Sequence, residues 1–130
     1  MITGCSSGIG YDAARGMQAR GWRVFASCRN AKDCARLRDE GFESPLIDYA
    51  RPETIETGLA EVLGATEGRL DALFNNGAYA VPGAVEDLPT DALRAIYETN
   101  LFGWHDLTRR VIPVMRAQGA GRIVQNSSVL

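Results

Sequence analysis

Lysine and histidine are nearly missing from this chain, which carries one of each, Lys32 and His105. A lone histidine and three cysteines without a Cys-x-x-Cys pair exclude the Cys/His constellations that hold zinc. The odd cysteine count offers no disulfide framework, so Cys5, Cys28 and Cys34 are expected to be reduced structural thiols. An excess of positive charge is also lacking: the net charge is -2 and the pI near 5.4, which leaves no basic face for nucleic acid or anionic lipid. No apolar run approaches the roughly 18 residues of a membrane span, and the first residues lack the charged and apolar regions of a secretion signal, so no membrane role and a cytoplasmic location are expected. Repeats, low-complexity tracts and Pro/Ser-rich linkers are absent too. With 45% hydrophobic and 23% charged residues in 130, the composition is that of one globular domain.

Glycine is plentiful and placed. Thr3-Gly4-Cys5-Ser6-Ser7-Gly8-Ile9-Gly10 spaces three glycines as G-x-x-x-G-x-G directly after Met1 and Ile2. The first permits a tight turn at a strand end, the second admits a pyrophosphate against the main chain, and the third lets a helix pack on the sheet. The next helix aims its unpaired amides and the positive end of its dipole at the phosphates. Its predicted span is Tyr11 to Arg20, with Ala13, Ala14 and Met17 on one face and Gly21 as the cap.

A strand-like run, Trp22 to Cys28, comes next. From there strands and helices alternate: a helix from Ala31 to Glu40, a short strand at Pro45-Leu46-Ile47, and a helix from Pro52 to about Gly64 with Ile55, Leu59, Val62 and Leu63 at helical spacing. Leu70 to Phe74 reads as a strand, and Asn75-Asn76-Gly77-Ala78 as a loop. A long helix from Thr90 shows one apolar stripe of Leu93, Ile96, Tyr97, Leu101, Leu107 and Val111, with Pro113 in its second half, and Gly121 to Asn126 closes the series as a strand. Such alternation predicts an α/β fold, a doubly wound parallel sheet in the order 3-2-1-4-5. A ligand then sits across the carboxyl ends of strands one and four, where Gly4 to Gly10, Arg29, Asp48, Asn75 to Gly77 and Ser128 converge.

Taken in order and spacing, the Thr3 to Gly10 turn, the strand-end Asp48, Asn75-Asn76-Gly77, Asn100 and Ser127-Ser128 resemble the short-chain dehydrogenase/reductase family over essentially the whole chain. The resemblance implies a Rossmann-like fold and hydride transfer between a nicotinamide cofactor and an alcohol or carbonyl substrate. It implies cofactor contacts at Gly4, Ser6, Ser7, Gly8, Ile9, Gly10, Asp48, Tyr49, Asn75, Asn76 and Gly77, with Asp48 accepting from the adenine amino group and the asparagine amides of the Asn75-Asn76 loop also able to tie adjacent strands together. Read without the family, Asp48 is equally a turn aspartate capping Tyr49-Ala50-Arg51. The family's usual acid at the end of the second strand is replaced here by Cys28 followed by Arg29, whose planar guanidinium suits a 2'-phosphate; NADP is therefore expected over NAD. The second NADP cue, a basic residue before the middle glycine, is replaced by Ser7.

The resemblance makes Ser128 the catalytic serine and gives Asn100 a water in a proton relay. Asparagine is a poor helix former, so its place inside a helix asks for a reason. That helix often forms a subunit interface in the family, implying a homo-oligomer, with His105 there or at the surface. The family's Tyr-x-x-x-Lys pair lies about a dozen residues after the serine, beyond Leu130, and Lys32 cannot supply it because Cys28 stands four residues before it. Only Met1 and Ile2 represent the first strand. The chain is accordingly expected to be a fragment truncated at both ends, inactive and poorly folded on its own. Two alternatives stay open at this point: a non-catalytic dinucleotide-binding or regulatory module, and a flavodoxin-like flavin domain. The loop Tyr79 to Gly83 is either pocket lining or a plain connection.

Overall fold

The structure, a computed structural model, describes residues 1–128. Five α-helices are present among them. α1 spans Gly8–Ala19, α2 Ala31–Asp39 and α3 Pro52–Ala65; after strand β1, Ala72–Asn75, come α4, Thr90–Tyr97, and α5, Trp104–Gln118, and then strand β2, Arg122–Gln125. Local chemistry sets their ends. The Asn30 side chain accepts from the Asp33 amide at the start of α2, and Pro52 occupies the first turn of α3, where its missing N–H costs nothing. Gly119, in the left-handed region at φ 72°, stops α5.

β1 and β2 pair in parallel, from Ala72 opposite Arg122 to Asn75 opposite Gln125. Three further extended segments join them through isolated parallel bridges: Ile2 with Phe74 and with Ala26, Phe25 with Glu43, and Cys28 with Leu46. The spatial order is therefore third segment, second, first, β1, β2, which is the 3-2-1-4-5 order expected of a doubly wound fold. Apolar residues fill both faces of this layer. Ile55, Leu59 and Val62 of α3 meet Leu107, Val111 and Met115 of α5 on one side. On the other side Ala14 of α1 and Cys34 and Leu37 of α2 cover Ile2, Ala26 and Cys28. Each fully buried aliphatic side chain contributes about 1.5–3 kcal/mol.

Three details differ from the sequence reading. α1 begins at Gly8, not Tyr11, so the last two glycines of the motif lie inside its first turn. The second extended segment pairs only from Phe25 onward; Trp22 and Arg23 are exposed, and the Arg23 guanidinium is turned to Glu43 instead. The long helix is interrupted by a π-type segment, Glu98–Gly103, in which hydrogen bonds reach one residue further. One residue of extra pitch rotates the remainder of the helix by about 100°, and the expected single stripe splits accordingly. Leu107 and Val111 are buried, whereas Leu93, Tyr97 and Leu101 are 55%, 48% and 50% exposed.

Candidate functional site

A cleft of about 400 Å³ opens at the carboxyl ends of the first segment and β1, lined by Thr3, Gly4, Ser6, Ser7 and Ile9, by Arg29, by Ile47 to Tyr49, by Asn76 to Ala78, and by Thr99 and Asn126. Two glycines shape the turn at its base, Gly4 in the lining and Gly10 behind it. Gly4 has φ +67° and lies so close to the next loop that a Cβ there would stand 2.5 Å from Gly77 Cα. Gly10 is buried, and a Cβ on it would meet the Gly4 carbonyl oxygen at 2.5 Å. The N-terminus of α1 points into this space. Its first turn has no acidic residue and the Ser7 side chain makes no capping bond, which leaves the leading amides open to an anion.

Behind the cleft lies a buried polar chain. The Asn76 and Gly77 amides donate to Thr3 Oγ1 at 2.9 and 3.1 Å, and the Tyr49 hydroxyl is 2.8 Å from Thr3 Oγ1 and 2.5 Å from Asn75 Oδ1. Asn75 Nδ2 donates to Thr108 Oγ1 at 2.9 Å. Asn75, expected to touch the cofactor, is thus fully buried and serves the loop from behind; its amide is engaged by Tyr49 and Thr108. Gly8 and Gly10 likewise shape the turn without lining the cleft. The Tyr49 ring does line it, while burial pushes its phenol well above the ordinary tyrosine range, so it stays protonated.

Asp48 combines both of its readings. Its Oδ1 accepts from the Ala50 amide at 3.1 Å, closing a turn, and the half-buried side chain lines the cleft. Arg29 is exposed on the rim, and its guanidinium has no hydrogen-bond or ion-pair partner among the described residues. Asn100 sits in the π-type segment, and its carboxamide is engaged at both ends: Oδ1 accepts from the Tyr79 amide at 3.2 Å and Nδ2 donates to the Tyr79 carbonyl at 2.8 Å. That answers why an asparagine stands in the helix: its side chain pins the Tyr79 main chain. Ser128 is exposed beyond the carboxyl end of β2.

Several contributors escape the sequence reading. Asn126 Nδ2 donates to Asn76 Oδ1 at 2.8 Å, and Trp104 Nε1 donates to the Gly77 carbonyl at 2.7 Å, so β2 and α5 both hold the loop after β1. An asparagine directly after a strand at the switch point is the available signal for the first; nothing local marks the second. The three cysteines are free and buried, with burial pushing the Cys5 and Cys28 thiols up to about 12, which makes them poor nucleophiles.

The family model for short chain dehydrogenases matches residues 1–130. The chain belongs to this family. Among its relatives, the uncharacterized oxidoreductase YbbO of Escherichia coli is 38% identical over 130 residues, covering 100% of this chain and 48% of that protein. Human retinol dehydrogenase 16 is 34% identical over 134 residues, with coverage of 99% and 42%. A short-chain dehydrogenase from Streptomyces avermitilis superposes with a TM-score of 0.86 at 34% identity, over 95% of this chain and 46% of that one. A variant actinorhodin polyketide ketoreductase crystallised with NADPH gives 0.83 at 32%, over 95% and 50%. The chain spans about half the length of the relatives it matches. Membership removes the flavodoxin-like alternative and makes the chain part of an oxidoreductase family that binds NAD(P). The Gly4 to Gly10 turn presents open leading amides, close glycine packing and no carboxylate in the first turn of α1, an arrangement that suits an anion.

Proposed function

We propose that the protein is an NADP-dependent oxidoreductase acting on an alcohol or carbonyl substrate, with this chain forming its cofactor half. The observation that carries the proposal is the Arg29 guanidinium on the rim of the cleft, at the end of the second extended segment, with no partner of its own among the described residues. A planar, permanently charged fork suits a phosphoryl group, and a residue held ready for an anion loses no internal ion pair when it binds one. The crystallised relative with NADPH lends further support. Bound NADPH supplies the hydride. The α1 amides and Ser7 would hold the diphosphate and Asp48 the adenine side, with Asn76 and Gly77 in the cleft lining beside them. Ser128 is assigned to hydrogen-bond the substrate oxygen, with Asn100 fixing the neighbouring Tyr79 main chain. Leu93, Tyr97, Leu101 and Phe102 form the exposed apolar face through which two copies associate, and the reduced, buried thiols fit a cytoplasmic setting.

Titration of the full-length protein with NADPH and NADH tests this. Arg29→Leu is expected to weaken NADPH binding about tenfold or more, the worth of one charge-assisted pair, while leaving NADH binding unchanged. Equal affinity of the wild type for both cofactors, with no change in the variant, contradicts the NADP assignment. Failure of any carbonyl or alcohol to change NADPH absorbance in the full-length protein favours the non-catalytic module.

A further inference from the structure

Outside the cleft, on the flank of the glycine turn, α1 and α2 share a cluster that the proposed chemistry does not use. Arg36 Nη2 donates to the Ser6 carbonyl at 2.7 Å, reaching 30 residues back along the chain to the middle of the turn. Its Nη1 donates to Glu40 Oε1 at 2.6 Å, and the other carboxylate oxygen of Glu40 accepts from the Tyr11 hydroxyl at 2.7 Å. The guanidinium also lies over the Tyr11 ring, 5.5 Å from its centroid. Arg36 is therefore held on three sides, by a carboxylate, by a ring and by the carbonyl it grips. The ion pair is a surface one, with side-chain exposures of 42% and 33%, and pairs of this kind contribute little to stability. Its consequence is geometric. In a trans peptide the carbonyl and the adjoining amide point in opposite directions. Holding the Ser6 carbonyl outward toward α2 turns the Ser7 N–H inward, to the side on which Ser6 and Ser7 line the cleft.

We propose that Arg36 is a positioning residue for the cofactor diphosphate: anchored by Glu40 and Tyr11, it fixes the Ser6–Ser7 peptide so that the Ser7 amide faces the phosphates. This rests on the dinucleotide reading of the cleft. Because the diphosphate is common to NADPH and NADH, the residue acts on both cofactors alike, unlike Arg29. Arg36→Met in the full-length protein, combined with equilibrium titration against each cofactor and with thermal melting, is the test. The expected result is a loss of about tenfold in affinity for both dinucleotides by the same factor, the worth of one hydrogen bond to a charged group. Turnover at saturating cofactor and the melting temperature should change little. Glu40→Gln and Tyr11→Phe, changes at the surface end of the same clamp, should shift both affinities in the same direction by smaller factors, and they decide the matter if Arg36→Met does not fold. Unchanged affinity in these variants overturns the proposal. So does a loss confined to NADPH, which makes Arg36 a direct ligand of the extra phosphate. A loss appearing only in step with a lowered melting temperature overturns it as well, since the residue is then merely structural. A wild-type protein that binds neither dinucleotide removes the dinucleotide reading itself, an outcome distinct from wild-type binding with indifferent variants.

Discussion

Gly10→Ala is expected to reduce dinucleotide affinity about a hundredfold or more and to lower the melting temperature. On helix propensity alone the change should help, since alanine is favoured over glycine by about 1 kcal/mol in a helix interior. Packing decides otherwise. The added Cβ would stand 2.5 Å from the Gly4 carbonyl oxygen and 2.6 Å from Asn76 Nδ2. Neither neighbour is a free side-chain end: Gly4 is fixed at φ +67° against Gly77, and Asn76 Nδ2 donates to the Thr3 carbonyl at 3.1 Å. Relief therefore requires α1 to move away from the turn, which carries the helix amides off the position proposed for the diphosphate. Overpacking of this kind costs about 1–3 kcal/mol in stability before any ligand is considered. A matched control lies in the same helix. At Gly16 the new Cβ would meet only the flexible end of Arg20, at 3.3 Å, so Gly16→Ala should raise stability by up to about 1 kcal/mol and leave binding intact. Calorimetric titration and a melt of both variants check the pair; a Gly10→Ala protein that binds like the wild type refutes the close-approach account.

Features that repeat or cluster locally are the ones legible in the sequence. The glycine turn is a contiguous motif, and Ile55, Leu59 and Val62 mark α3 by their spacing alone, so the structure has both where the sequence puts them. The pitch change at Glu98–Gly103 is not visible, because Leu93, Tyr97, Leu101, Leu107 and Val111 read as one stripe at regular pitch while the backbone shifts phase between the exposed Leu101 and the buried Leu107. The structural half of the Asn75 reading is legible from strand alternation, since Leu73 and Asn75 share the buried face of β1. The contacts of Thr3, Trp104 and Arg36 stay hidden for another reason. The bonds of Thr3 to Tyr49 and Gly77, of Trp104 to Gly77 and of Arg36 to Ser6 span 27 to 74 residues, and a single hydroxyl, indole or guanidinium has no periodicity that announces a long-range contact.

Thr3→Val is the second large effect, expected to destabilise by about 2–5 kcal/mol and to loosen the cofactor loop. A threonine hydroxyl offers two lone pairs and one proton. The Asn76 and Gly77 amides fill the lone pairs, at 2.9 and 3.1 Å. Asn75 Oδ1 can only accept, so the Tyr49 proton belongs there, and the Thr3 proton has two acceptors in reach, the Tyr49 oxygen at 2.8 Å and the Phe74 carbonyl at 3.3 Å. Valine keeps the shape and removes the centre, leaving two partly buried amides without an acceptor at about 1–3 kcal/mol each. Losing both is a large share of a typical folding free energy of about 5–15 kcal/mol. The melting temperature should fall by roughly 5–15 °C, and cofactor affinity should drop with it, because Asn76 and Gly77 line the cleft. Thr3→Ser, which retains the hydroxyl, should restore most of both. A valine variant that melts with the wild type would mean that the two amides find other acceptors and that the hydroxyl does not organise the loop.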